Sequence, residues 1–254
     1  MERVVIITGA SSGIGRATAL KIAAPDVKLL LQARGGREGE KVERFEQIAA
    51  DVRNKGGECV TCISDLSEPH AGAGLVEQAV DRFGRVDQII SNAGFADPRR
   101  IGELTTEDLQ TSLQTMTVAF FDIVTAALDY LKTSDCGRVV AVSSFVAHVI
   151  PDNKLFPVTA AAESAIEGLA RSLAIQLAPD KGSVNCVAPG FTQKETSGHS
   201  ALGQAAWERA AEITPMGKLA QPQDIAALIA FLLEPDAGHI TGQVIHVDGG
   251  LTLV

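Results

Sequence analysis

Tyrosine and tryptophan occur once each in this chain of 254 residues, as Tyr130 and Trp207, and aromatic residues make up only 4% of it. Four cysteines are too few for a disulfide framework in a chain of this size. Two of them, Cys59 and Cys62, form a C-x-x-C within Glu58-Cys-Val-Thr-Cys-Ile63, which reads as a strand. Alternation along a strand sends residues three apart to opposite faces, so two packed thiols are expected there, not a redox or zinc pair. No apolar run reaches the ~18 residues that a membrane helix needs. Basic charge is in deficit, 22 Lys and Arg against 31 Asp and Glu for a net charge of −9, which argues against a nucleic-acid partner, whose binder carries a basic footprint. The first strand begins at Val4, leaving no room for the n-region and cleavage site of a signal peptide. With no repeat, low-complexity tract or linker in view, the expectation is one cytoplasmic domain over 1–254, acting on a small molecule.

What is present centres on Thr8-Gly-Ala-Ser-Ser-Gly-Ile-Gly15. Before it, Val4-Val-Ile-Ile7 is short, apolar and β-branched, as a buried strand is. After it, Arg16 to Ala24 favours helix. A strand, a glycine-rich turn and a helix make an anion site, because N–H groups at the helix start and the helix dipole both favour negative charge. Gly9, Gly13 and Gly15 are spaced G-x3-G-x-G. Glycine at these points permits the tight turn, the close approach of a pyrophosphate and close helix–strand packing.

Further strands are expected at Val27–Ala33, Cys59–Ser64, Val86–Ile90, Gly137–Val142, Ser183–Val187 and Gln243–Val247. Helices are expected at Glu38–Lys55, Leu75–Phe83, Thr105 to about Leu131, Thr159–Leu177 and Asp224–Leu233. Some seven strands alternating with helices predict an α/β fold with a doubly wound, Rossmann-like parallel sheet and helices on both faces. Ligands in such sheets bind beyond the carboxyl ends of the strands, where Thr8, Arg34, Asp65, Asn92, Ser144 and Pro189 all fall.

On these residues the sequence resembles the short-chain dehydrogenase/reductase family over nearly its whole length. The matching motifs are the glycine turn, Asp65-Leu66, Asn92-Ala-Gly94, Ser143-Ser144, Pro189-Gly190 and Gly242 to Gly250. The resemblance implies that Asp65, with Leu66 beside it, meets the adenine edge and that Asn92, Ala93 and Gly94 line the adenosine ribose. Ser11, Ser12, Ile14 and neighbouring backbone would hold phosphates, and Pro189, Gly190 and Thr192 would lie near the nicotinamide. After the second strand a carboxylate would favour NAD; Ala33-Arg34, with Arg37 nearby, instead favours the 2′-phosphate of NADP(H), NAD being the alternative. A substrate lid around 191–216 and a homodimer or homotetramer are also implied.

The family's catalytic set is Asn-Ser-Tyr-Lys. Aligned on Glu167-Gly-Leu169 and Arg171-Ser-Leu-Ala174, the tyrosine position holds Thr159, the lysine position Glu163 and the helical asparagine position Thr115; Ser144 survives. The one Tyr lies well before the serine strand, so realignment cannot restore the phenol, and the loop from Phe145 to Val158 is rebuilt. Three readings follow. An NADP(H)-dependent reductase of an iminium needs no proton donor, and Asp152 or Glu163 would hold the substrate cation; Pro151-Asp-Asn-Lys154 resembles a Pro-Asp-Pro-Asn-Lys loop of fungal relatives that reduce such a cation. A carbonyl reductase would recruit another acid, His148 or Lys154, although a lone histidine near a strand end reads first as structural. His70, His199, His239 and His246 show no partner motif. The third reading is a catalytically silent cofactor-binding protein, a sensor or oligomer partner. The first two are favoured.

Overall fold

The computed structural model of the chain describes residues 2–35, 40–150, 154–193 and 204–254. Seven strands form one sheet: β1 (Arg3–Ile7), β2 (Val27–Ala33), β3 (Glu58–Ile63), β4 (Gln88–Ser91), β5 (Arg138–Val142), β6 (Ser183–Pro189) and β7 (Val244–Val247). Their spatial order is β3-β2-β1-β4-β5-β6-β7, and every pair is parallel. The order reverses direction at β1, so the crevice beyond the ends of β1 and β4 is the switch point at which ligands of such sheets bind. There Ile7 is in register with Ile90, and the Thr8 N–H continues the ladder onto the Ile90 carbonyl at 3.0 Å.

Because parallel strands are covered on both faces, the run of β1 after Arg3 is apolar on both, Val4-Val-Ile-Ile7. Along β1, Val4 and Ile6 face one core, which contains residues of α3 (Ala71–Phe83), α5 (Ala119–Ala126) and α7 (Pro157–Leu177). Val5 and Ile7 face the other, with residues of α1 (Gly13–Ile22), α2 (Glu40–Asn54) and α9 (Pro222–Leu232). Each side chain so buried contributes ~1.5–3 kcal/mol by area. Cys62 belongs to the first core and Cys59 to the second, as two free thiols on opposite faces; burial pushes the Cys59 thiol up to about 11.

Several boundaries differ from those expected. Helix α7 starts two residues early because Pro157, with its fixed φ, occupies its first turn. Helix α9 likewise starts at Pro222, capped reciprocally by Gln221 and Asp224. Strand β4 starts at Gln88 instead of Val86: the preceding Asp87 gives its carboxylate to the Val4 N–H (2.8 Å) and the Ser134 hydroxyl (2.6 Å). The stretch expected as one helix from Thr105 is four segments, α4 (Thr106–Ser112), a π-helical turn at Leu113–Val118, α5 and α6 (Leu128–Thr133). Thr105 and Asp108 cap it reciprocally. Helix α8 (Gln204–Ile213) follows β6. No helix among the described residues is long and apolar enough to cross a membrane, and no group of three His, Cys, Asp or Glu among them is placed to hold a metal ion.

Candidate functional site

The glycine turn is held from three strands. The buried Thr8 hydroxyl accepts the N–H groups of Asn92 (2.9 Å) and Ala93 (3.0 Å), while Asn92 Nδ2 donates to the carbonyls of Thr8 (3.0 Å) and Gly9 (3.2 Å). Gln32, buried inside β2, accepts the Gly9 N–H at Oε1 (3.0 Å) and donates from Nε2 to the Ser64 carbonyl (2.7 Å). One side-chain amide thus ties the ends of β1, β2 and β3 together. Gly9 has φ +65°, and a Cβ there would sit 2.9 Å from Ala93 Cα; one on Gly15 would run into the Gly9 carbonyl oxygen. Gly13, also at positive φ, faces open space. Ser12 precedes α1 in extended backbone without capping it through its side chain, and no acid stands in the first turn. The first N–H groups of α1 therefore have no side-chain partner from Ser12, which leaves an anion cradle beside Ser11 and Ser12. Ile14 packs against the second core.

Beside this cradle, Arg34 is exposed at the end of β2. Asp65 accepts the N–H (2.9 Å) and hydroxyl (2.8 Å) of Ser67; that backbone bond, more than the charge of Arg34, holds its carboxyl below the usual range. Leu66 is buried in the first core, so any part it plays is through backbone. Arg37 lies outside the described residues.

At the far end Ser144 follows β5, its hydroxyl accepting the Val146 N–H at 3.4 Å. Thr159, buried on the first turn of α7, accepts the Asp97 N–H (3.0 Å) and donates to the Phe95 carbonyl (3.4 Å). Its hydroxyl is spent on pinning the loop after β4. One turn on, the Glu163 carboxyl is buried beneath the Asn92–Gly94 turn, with Oε1 3.7 Å from where a Gly94 Cβ would stand. Its Oε2 has no hydrogen-bond partner. Burial, and then the nearby Glu167, push its pKa up to about 8, so it is a neutral acid at pH 7. Thr115 is buried in the π-helical turn, which packs on α7 through a bond from Thr117 Oγ1 to the Ala162 carbonyl (3.0 Å). Beyond β6, a Cβ on Gly190 would sit 2.7 Å from Asp248 Cα, and Thr192 donates to the Gly190 carbonyl (3.1 Å). Asp152 lies outside the described residues.

His148 is not the isolated histidine that the sequence suggested. Its Nε2 donates to Glu167 Oε1 at 2.9 Å, and the same oxygen accepts the Ser143 hydroxyl at 2.5 Å. The ring packs on His246, centroids 4.5 Å apart. His246 also has a partner: Thr252 gives its proton to Asp248 Oδ2 (2.7 Å) and accepts from His246 Nδ1 (2.9 Å). Three segments of the chain meet here: Ser143 and His148 after β5, Glu167 of α7, and His246 to Thr252 at β7 and the C-terminal turn.

The donor set suits a dinucleotide: an anion cradle at one end, a cation and a carboxylate beside it, and a buried unpartnered carboxylic acid beneath the Asn92–Gly94 turn.

The family profile described as "Enoyl-(Acyl carrier protein) reductase" matches residues 9–252. An uncharacterized oxidoreductase of Methylorubrum extorquens is 32% identical over 253 residues, covering 98% of this chain and 97% of the relative. The NADPH-dependent reductase BacG of Bacillus subtilis is 29% identical over 260 residues, covering 98% and 97%. Among solved structures, a short-chain dehydrogenase/reductase from Serratia marcescens superposes with a TM-score of 0.88 at 28% identity, over 98% of both chains. A blue fluorescent protein from a metagenomic library, in complex with NADPH, gives 0.88 at 26% identity, over 98% of this chain and 97% of the other. Fold, motifs and likeness agree: the chain belongs to the short-chain dehydrogenase/reductase family and is an NAD(P)-dependent oxidoreductase of that type.

Proposed function

We propose that the protein is an NADP(H)-dependent reductase whose site works without the tyrosine and lysine of its family, with Thr159 and Glu163 in their places. The observation that carries this reading is the Glu163 carboxyl, buried under Gly94, unpartnered at Oε2 and neutral at pH 7. A protonated carboxyl both donates and accepts, so it suits a pair of ribose hydroxyls as an ammonium does, without the positive charge. The N–H groups at the start of α1, with Ser11 and Ser12, hold the pyrophosphate; Arg34 pairs with the 2′-phosphate; Asp65 and Asn92-Ala-Gly94 enclose the adenosine. Bound NADPH supplies the hydride. Relatives named as an NADPH-dependent reductase and as an NADPH complex support the choice of cofactor.

Ser144 presents the hydroxyl that steadies the reacting oxygen, and Glu163 keeps a proton at Oε2. An acid with a pKa near 8 is suited to give up that proton at neutral pH. Thr159 positions the loop after β4 and takes no part in proton transfer, since its hydroxyl is bound to backbone. A neutral Glu163 has no charge with which to stabilise a substrate cation, and this favours a carbonyl over an iminium as the electrophile.

The test is turnover of a panel of ketones and cyclic imines with NADPH and with NADH. Ketone reduction with NADPH, lowered at least about tenfold by Ser144→Ala, is the expected result. Imine reduction alone would return the reading to the iminium, and binding without turnover would make the protein a silent NADP(H) binder. For the cofactor, Arg34→Ala is expected to weaken NADPH by about ten- to a hundredfold while leaving NADH within about twofold, by calorimetric titration. Equal loss for both would remove Arg34 from the 2′-phosphate.

A further inference from the structure

The segment 146–150 after Ser144, Lys154–Phe156, the start of α7 and Arg100-Ile101 after β4 line a half-open cavity of about 760 Å³. It adjoins the reacting end: Val146, whose N–H lies on the Ser144 hydroxyl, and Ala160, the neighbour of Thr159, both line it. Its walls are apolar, and two of its members, Ile101 and Ile150, are 86% and 67% exposed, a burial that a ligand would complete. Its charged lining is of one sign, Arg100 and Lys154; among the described residues it includes no carboxylate. Neither cation has an ion-pair partner among the described residues. Lys154 is held by an aromatic: its ammonium stands 5.8 Å from the centroid of Phe191, whose ring packs on Phe145 at 4.7 Å. Phe145 follows Ser144 and Phe191 follows Gly190, so this ammonium is carried by side chains adjoining both sides of the reacting end.

We propose that this cavity binds the anionic end of an apolar-bodied substrate, a keto acid whose carboxylate pairs with Lys154 and Arg100 while its chain lies on the apolar walls. The inference rests on the reductase reading for the ketone half and on the lining of the cavity for the acid half. Lys154, half-buried against Phe191, discriminates charge more strongly than the exposed Arg100, because a neutral isostere leaves it partly desolvated and unpaired. The iminium considered from sequence carries the opposite charge and gains nothing from Arg100 and Lys154.

The probes are methyl-ketone acids whose ketone and carboxylate are separated by two to eight methylenes, each set against its methyl ester. With NADPH, the best acid is expected to exceed its ester by at least about tenfold in kcat/KM, mainly through KM. In Lys154→Gln with Arg100→Gln the ratio falls to near unity, and Lys154→Arg retains it. An ester reduced as well as its acid, or a ratio unchanged in the double glutamine variant, overturns the proposal. If nothing turns over, the reductase reading fails, but anchoring is still decided by calorimetric titration of the same pairs, with and without NADPH. Tighter binding of the acid, abolished in the double variant, supports the anchor; equal binding of acid and ester refutes it.

Discussion

Thr159→Tyr combined with Glu163→Lys exchanges the buried acid at 163 for the family's phenol and ammonium, and is expected to raise kcat/KM for simple ketones by at least about tenfold. That factor is about 1.4 kcal/mol of barrier. A threonine hydroxyl is too weak an acid to protonate a carbonyl oxygen near neutral pH, and here it is committed to Asp97 N–H and the Phe95 carbonyl. A phenol at 159 gives up those two backbone bonds, a cost of about 1 kcal/mol each, and gains an acidic proton. Lysine at 163 meets a ready partner: Glu167 lies one turn along α7 and now repels a carboxylate at 163. Thr159→Tyr alone is expected to give a smaller gain, because no ammonium then lowers the phenol's pKa. Stopped-flow or steady-state NADPH oxidation measures both. A folded, NADPH-binding double variant that reduces ketones no faster than the parent would show that the site differs from its relatives by more than two side chains.

The glycine turn was legible because its requirements are those of the backbone. A turn that needs positive φ at Gly9 and Gly13 and no Cβ at Gly15 announces itself by its glycines, and the strand before it by its β-branched run. The separation of Cys59 from Cys62 followed from strand alternation alone. Gln32 was not legible. Within Val27–Ala33 it is one of two polar residues, with Lys28, and only the sheet order places its amide between Gly9 and Ser64. The same holds for His148, Glu167 and His246, which belong to three distant segments and have no shared spacing to mark them. The π-helical turn at Leu113–Val118 escaped too, since propensity and periodicity do not distinguish one extra residue per turn from an ordinary helix. Sequence reading could supply that Thr159 and Glu163 share the first turns of α7; what it could not supply was the protonation state of Glu163, which burial decides.

That protonation state has a thermodynamic signature, and Glu163→Gln isolates it. In the unfolded chain a glutamate titrates near its ordinary 4.5; folded, this one titrates at about 8. Between those values the folded protein holds a proton that the unfolded chain has lost, so its stability is complete at low pH and falls as pH rises through the window. At ~1.4 kcal/mol per pH unit the loss is on the order of 4 kcal/mol by pH 8. Glutamine keeps the shape and cannot ionise, so the variant is expected to match the parent near pH 5 and to exceed it at pH 8 by roughly 6–15 °C in Tm. Parallel stability–pH curves for the two proteins would mean that Glu163 ionises in place at ordinary pH. The same pair of proteins separates stability from catalysis. If Glu163 also supplies the proton, kcat of the parent declines above about pH 8 as the acid empties, and the variant loses both most of its rate and that decline. Should the stability difference appear while the alkaline limb of kcat survives in Glu163→Gln, the buried acid serves to hold the cofactor and the proton enters from another group.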